Sequence, residues 1–365
     1  MSRQDWPTWL PIRDELRDLS PYGAPQLELP IRLNTNENPY QVSERLQSAL
    51  QSAISKTLRN LNRYPDRDAL ELRSALARSI TDSTGMPIDE NWIWAANGSN
   101  EIIQSIDLAF AGDALGFEPS YSMHPIIART VGKKWHAIER DANFQVDLES
   151  AQHAIDSTGA RLVFLTTPNN PTGNALSITA IEELARFTFE RGALLVVDEA
   201  YAEFSSQPSA VSLLRAYPNL LVIRTMSKAF AFAGARLGYL IADPKVIAAM
   251  LLVRLPYHLS SLTQAAVLAA IELRAELTRD IDSIRSARGD LTKELTQLGL
   301  KVYPSEANFL LFTGFSGTSH DLWQRLTAQG VLIRDVGIAN HLRVTIGTRS
   351  ENRAFLDAIS ELVRG

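Results

Sequence analysis

The spacing of apolar and polar positions changes character several times along this 365-residue chain. Residues 1–40 have no period and carry Pro7, Pro11, Pro21, Pro25, Pro30 and Pro39. Proline lacks the amide hydrogen that helices and ladders use, so this segment predicts an extended arm. Between residues 41 and 58, Val42, Leu46, Ala49, Leu50, Ala53 and Ile54 recur at helical spacing, and a second helical pattern covers 69–80. Short apolar runs at 92–95, 114–117, 162–166, 194–197 and 220–224 then read as strands, with helical stretches such as 100–110 and 180–191 between several of them. That alternation predicts an α/β fold whose mainly parallel sheet is covered on both faces. A long helical stretch over 261–298 closes this half. Strand-like runs at 308–312, 331–334 and 342–346 then predict a smaller α/β domain.

Composition narrows the class without changing that picture. Hydrophobic residues make up 45% and charged residues 21%, an ordinary globular balance. A formal net charge of −5 speaks against binding driven by nucleic-acid phosphates. With no cysteine, the chain has neither a disulfide framework nor a thiolate metal site. Charges and prolines near the start break the apolar run that a signal peptide or membrane span needs, and the expected location is cytoplasmic. The six histidines lack metal-ligand spacing, so no catalytic metal is expected. No turn carries Gly-x-Gly-x-x-Gly, which disfavours a nicotinamide dehydrogenase.

Three clusters follow strands. Thr225-Met226-Ser227-Lys228 stands at the end of the 220–224 run, and Arg236 comes eight residues after the lysine. Open α/β sheets bind ligands beyond the carboxyl ends of their strands. There, a desolvated lysine near cations becomes a nucleophile toward an aldehyde. Thr167-Pro168-Asn169-Asn170-Pro171-Thr172-Gly173 alone is a turn, and Asp198-Glu199-Ala200-Tyr201 alone is a helix-capping segment. A fourth segment, Asn97-Gly98-Ser99-Asn100-Glu101, joins a strand to a helix whose free amides suit an anion. There the helix dipole contributes ~0.3–1 kcal/mol and a charge-assisted bond from Arg236 ~1.5–3 kcal/mol, so Arg236 dominates.

Taken together, Asn-Pro-Thr-Gly, Asp-x-x-Tyr and Ser-x-Lys with the later arginine resemble the fold type I aminotransferases that depend on pyridoxal 5′-phosphate. The resemblance implies a large domain with a seven-stranded sheet and a smaller C-terminal domain. It divides the chain into an arm over 1–40, a cofactor domain over 41–262 and a small domain over 263–365, completed by part of the arm. It also implies that Lys228 carries the cofactor as a Schiff base and that Asp198 pairs with the ring nitrogen. Asn170 and Tyr201 would bond the phenolic oxygen, while Ser99, Asn100, Thr225, Ser227 and Arg236 would hold the phosphate. Tyr121 would stack on the ring.

Further segments resemble the histidinol-phosphate aminotransferases, members of class II. They are Ser20-Pro21-Tyr22, Leu33-Asn34-Thr35-Asn36-Glu37-Asn38-Pro39-Tyr40, Arg63-Tyr64-Pro65-Asp66, Leu255-Pro256-Tyr257, Val331-Leu332-Ile333-Arg334-Asp335 and Leu342-Arg343-Val344-Thr345-Ile346-Gly347. This implies a homodimer with shared active sites, Tyr64 reaching the neighbouring subunit's cofactor phosphate. Tyr22, Asn36, Tyr257, Arg334 and Arg343 would serve the substrates, histidinol phosphate and the glutamate/2-oxoglutarate pair. An aromatic aminotransferase and a phosphothreonine decarboxylase remain as alternatives, and a cofactor-binding regulator is disfavoured because no DNA-binding module precedes residue 40.

Overall fold

A computed structural model of the chain describes residues 6–364. The arm forms one 3-10 turn, Asp14–Leu16, before strand β1 (Ile31–Arg32). Helices α1 (Glu44–Leu58) and α2 (Leu70–Thr84) follow; the Ser43 hydroxyl caps α1 by accepting from the Leu46 amide.

Then the sheet begins: β2 (Ile93–Ala96), α3 (Ser99–Ala109), β3 (Ala114–Glu118), α4 (Met123–Thr130), β4 (Trp135–Glu139) and α5 (Leu148–Thr158). Next come β5 (Leu162–Thr166), α6 (Ile178–Glu190), β6 (Leu194–Asp198), β7 (Leu220–Thr225), β8 (Gly238–Ala242) and α7 (Pro244–Val253). These seven strands, β2 to β8, form one sheet in the order β2-β8-β7-β6-β5-β3-β4, with β8 antiparallel to both neighbours and every other pairing parallel. Strands β5, β6 and β7 are apolar almost throughout because both of their faces are covered. Leu220 and Val222 join the core under α1, α2, α5 and α6, while Leu221 and Ile223 join the core under α3, α4 and α7.

The expected helical stretch over 261–298 is three helices, α8 (Ser261–Glu272), α9 (Arg274–Thr278) and α10 (Ile281–Gln297). Its break has a packing cause. Val267 and Ala270 of α8 and Leu277 of α9 belong to the large-sheet core, whereas Ile284, Leu291 and Leu295 of α10 belong to a separate core. Helix α8 thus packs with the large domain, on the other side of the 262/263 division drawn from sequence, and the passage between cores falls near residue 280.

The second core lies among β9 (Lys301–Val302), β10 (Phe309–Thr313), α11 (Ser319–Ala328), β11 (Val331–Leu332), β12 (Arg334–Asp335), β13 (Leu342–Thr345) and α12 (Arg349–Arg364). An antiparallel sheet runs β12-β13-β10-β9. The arm enters this domain: β1 pairs in parallel with β11, Ile31 opposite Val331, and Leu33 is buried in its core. No helix among the described residues is long and apolar enough to cross a membrane.

Candidate active site

The carboxyl ends of β2, β3, β5, β6 and β7 lie on one edge of the large sheet. Antiparallel β8 starts there, so the residues just before Gly238 join them. A cavity of about 350 Å³ opens at this edge, bounded on its far side by the arm and by β12 and β13. Of the residues expected at the site, Tyr22, Asn36, Ser99, Asn100, Tyr121, Asn170, Asp198, Tyr201, Thr225, Ser227, Lys228, Arg236, Arg334 and Arg343 all line it. Tyr64 and Tyr257 do not. They stack on each other at the surface, centroids 4.5 Å apart, 80% and 41% exposed.

Lys228 lies three residues past β7, and its amine donates to the Thr35 carbonyl at 2.9 Å. Burial pulls the amine down to about 8, Arg343 and Arg236 push the same way, and Glu37 opposes them. Roughly a tenth of the amine is therefore the neutral nucleophile at pH 7, far more than an ordinary lysine offers.

Asp198 closes β6 and is 2% exposed. Its Oδ1 accepts from the Ala200 amide at 3.1 Å, and its Oδ2 lies 3.3 Å from His124 Nε2 on α4. His124 has no metal-ligand spacing, so no local signal in the sequence marks it. The pair is tertiary, 74 residues apart in sequence. Directly behind, Arg224 donates to Glu199 at 2.8 Å and ties the ends of β6 and β7 together on the opposite face of the sheet.

At one end of the cavity is an anion cradle. Gly98 has φ 83°, and a Cβ there would fall 2.6 Å from Arg236 Nη2. A Cβ on Gly238 would fall 2.5 Å from the Ser99 amide nitrogen, so only glycine lets β8 begin this close to the start of α3. Helix α3 has no side-chain cap, which leaves its first amides available. Thr225 Oγ1 lies 3.0 Å from Ser227 Oγ, adding two hydroxyls.

The cavity wall holds the remaining polar groups. Tyr201 hydroxyl accepts from Asn36 Nδ2 at 2.9 Å, which leaves its proton free to donate into the cavity. Burial, partly offset by Arg343 and Asn36, pushes this phenol up to about 12, so it keeps that proton at neutral pH. The Tyr121 hydroxyl donates to Asn100 Oδ1 at 3.0 Å, and its ring meets His124 edge-on. Asn36, with φ 57°, is also fixed by Thr345: its amide donates to Thr345 Oγ1 at 3.0 Å, and that hydroxyl donates back to Asn36 Oδ1 at 3.0 Å.

Two further arginines line the cavity. Arg343 is 6% exposed; it donates to the Asn170 side-chain oxygen and, at 2.8 Å, to the Asn34 carbonyl, while its Nε has no partner. Burial and the nearby Arg334 bring it down to about 10, against an upward pull from Tyr201, so it remains a cation at neutral pH. The Arg334 guanidinium has no hydrogen-bond partner among the described residues and lines the cavity. Asn170, expected to serve the cofactor's phenolic oxygen, thus also holds Arg343.

These groups fit pyridoxal 5′-phosphate by their chemistry: an anion cradle at a helix start, a buried carboxylate, phenol and amide donors, and a depressed lysine amine.

The chain matches the family model for aminotransferases of class I and II over residues 29–359. It is 50% identical over 359 residues to histidinol-phosphate aminotransferase of Corynebacterium glutamicum, spanning 97% of each protein. Against the enzyme of the same name from Mycolicibacterium smegmatis it is 50% identical over 357 residues, 97% of this chain and 93% of the other. The crystal structure of histidinol-phosphate aminotransferase from Sinorhizobium meliloti in complex with pyridoxal 5′-phosphate shares the fold, with a TM-score of 0.81, 24% identity, and 92% and 91% of the two chains covered.

Proposed function

Since the chain belongs to the class I and II aminotransferases, we propose that it moves the amino group of L-histidinol phosphate to 2-oxoglutarate, giving imidazole acetol phosphate and glutamate, in histidine biosynthesis. The observation that carries this reading is that one cavity is lined by the anion cradle, by Lys228 close to both Arg236 and Arg343, and by the free fork of Arg334. Two anion sites suit a phosphate-bearing cofactor together with a phosphate-bearing substrate.

Bound pyridoxal 5′-phosphate supplies an aldehyde that takes the amino group and a protonated ring that accepts the electron pair of the substrate Cα–H bond. The chain's residues arrange the rest. Arg236, the first amides of α3, Thr225 and Ser227 hold the phosphate. Asp198, oriented by His124, would pair with the ring nitrogen and keep it protonated. Tyr201 and Asn170 would donate to the phenolic oxygen, and Tyr121 would pack against the ring. The Lys228 amine, when free, would take the proton from the substrate Cα and hand it on as the general acid. Arg343 holds the substrate anion in both half-reactions. Arg334 supplies the extra positive charge that a phosphate dianion needs more than a carboxylate does, and Tyr22 donates a further hydrogen bond.

The active unit is a homodimer. The Tyr64–Tyr257 stack lies outside the cavity of its own chain, on a stretch that also exposes Leu58, Leu61, Leu252 and Leu255. Apolar groups gathered in this way suit a second copy, and Tyr64 then serves the neighbouring phosphate cradle.

Initial rates on L-histidinol phosphate, L-phenylalanine and L-phosphothreonine test the reading. Histidinol phosphate should give the highest kcat/KM. Preference for phenylalanine, or carbon dioxide release from phosphothreonine, would replace the reading by an aromatic aminotransferase or a decarboxylase.

A further inference from the structure

Helix α3 begins without a capping side chain, yet it carries an acidic residue, Glu101, in its first turn. A carboxylate there would repel an incoming phosphate. The structure turns it away: Glu101 Oε2 accepts from the Asn97 amide at 2.5 Å and from Asn97 Nδ2 at 2.8 Å. The second hydrogen on Asn97 Nδ2 goes to the His258 carbonyl at 2.9 Å. Both hydrogens of that amide are therefore in use, and its orientation is set by two acceptors.

His258 is held from its other side as well. Its Nε2 lies 2.9 Å from the Ala95 carbonyl, and its ring stacks on Trp94 with centroids 5.7 Å apart. The next residue back is Tyr257, whose φ of 58° places a bulky side chain in the left-handed region. Such a backbone persists only where its surroundings fix it. Asn97 thus joins two features that sequence leaves unconnected, the phosphate end of the cavity and the surface loop that presents Tyr257 to Tyr64.

We propose that Asn97 is a positioning residue that ties the phosphate cradle to the Tyr257 loop, so that cofactor phosphate and loop order stabilise each other. This rests on the cofactor reading above. Coupling of this kind is reciprocal: what orders the loop tightens the cradle, and a filled cradle orders the loop.

The test measures hydrogen exchange of amides 255 and 257–259 with and without pyridoxal 5′-phosphate, and the cofactor dissociation constant by absorbance titration. In the wild-type chain the cofactor should slow exchange in this loop. In Asn97→Ala the loop should exchange faster and stop responding to the cofactor, with affinity about three- to tenfold weaker, the scale of one lost hydrogen bond. Asn97→Ser, which keeps a donor for Glu101 but is too short to reach the His258 carbonyl, should behave the same way. Adding Glu101→Gln to Asn97→Ala separates tether from charge. Restoration of affinity by the added change would mean that a freed carboxylate, and not a lost tether, weakens binding, and would overturn the proposal. A loop in Asn97→Ala that still responds to the cofactor as in wild type would also overturn it. A wild-type chain that takes up no cofactor would overturn the underlying reading and this inference with it.

Discussion

His124 Nε2 stands 3.3 Å from Asp198 Oδ2, and both side chains are closed off from solvent. The imidazole therefore fixes which way the carboxylate faces. His124→Phe keeps a ring of similar size among Tyr121, Trp135 and Phe164 but removes the partner. A hydrogen bond to a charged group is worth ~1.5–3 kcal/mol, so cofactor affinity should fall about ten- to a hundredfold. Titration followed by absorbance measures this, and unchanged affinity would mean that Asp198 is held well enough by the Ala200 amide alone.

The free Lys228 amine gives the apoprotein a pH signature. Burial holds it at about 8 in the fold against 10.5 ordinarily, so between those values the unfolded chain binds more protons than the folded one. Stability should rise with pH across that window, and below about 8 the full penalty remains, at most ~3 kcal/mol. Lys228→Met removes the amine. Urea unfolding of both apoproteins should find the variant more stable at neutral pH, with the difference shrinking as pH approaches 10.5.

Arg334 and Arg343 should fail differently. Arg343 is buried and held by Asn170 and Asn34, whereas Arg334 keeps its fork free. Arg343→Ala should impair both half-reactions. Arg334→Ala should raise KM for histidinol phosphate far more than for glutamate, a desolvated ion pair being worth on the order of 2–5 kcal/mol. Single-turnover measurements of each half-reaction check this, and equal penalties for both donors would remove Arg334 from phosphate recognition.

Sharing of sites between subunits can be tested by mixing. A heterodimer of a Tyr64→Ala chain and a Lys228→Ala chain has one site with both residues intact. Activity should return in that mixture, while each parent homodimer stays impaired. Confirmed subunit exchange without recovery would count against the exchange of Tyr64.

Much of this architecture was legible in sequence because β5, β6 and β7 are continuous apolar runs and their last residues begin the polar clusters. Gly238–Ala242 was not assigned, although it is apolar throughout. The glycines and arginine before it mark a loop, and nothing local shows that β8 runs antiparallel. Half-exposed β4 has little contrast between its faces and was likewise unassigned. The stretch over 261–298 kept a helical period across two breaks, since period does not reveal that Val267 and Ile284 face different cores. In the site, residues within motifs were recoverable. His124 with Asp198, Lys228 with the Thr35 carbonyl and Arg343 with Asn170 were not, because each joins segments far apart in sequence.

The proposed chemistry depends on Lys228 taking the cofactor. Borohydride reduction of the protein after incubation with pyridoxal 5′-phosphate, followed by peptide mass analysis, tests it most directly. The account predicts one phosphopyridoxyl adduct per chain, on the peptide containing Lys228; an adduct on a different lysine, or none, would contradict it.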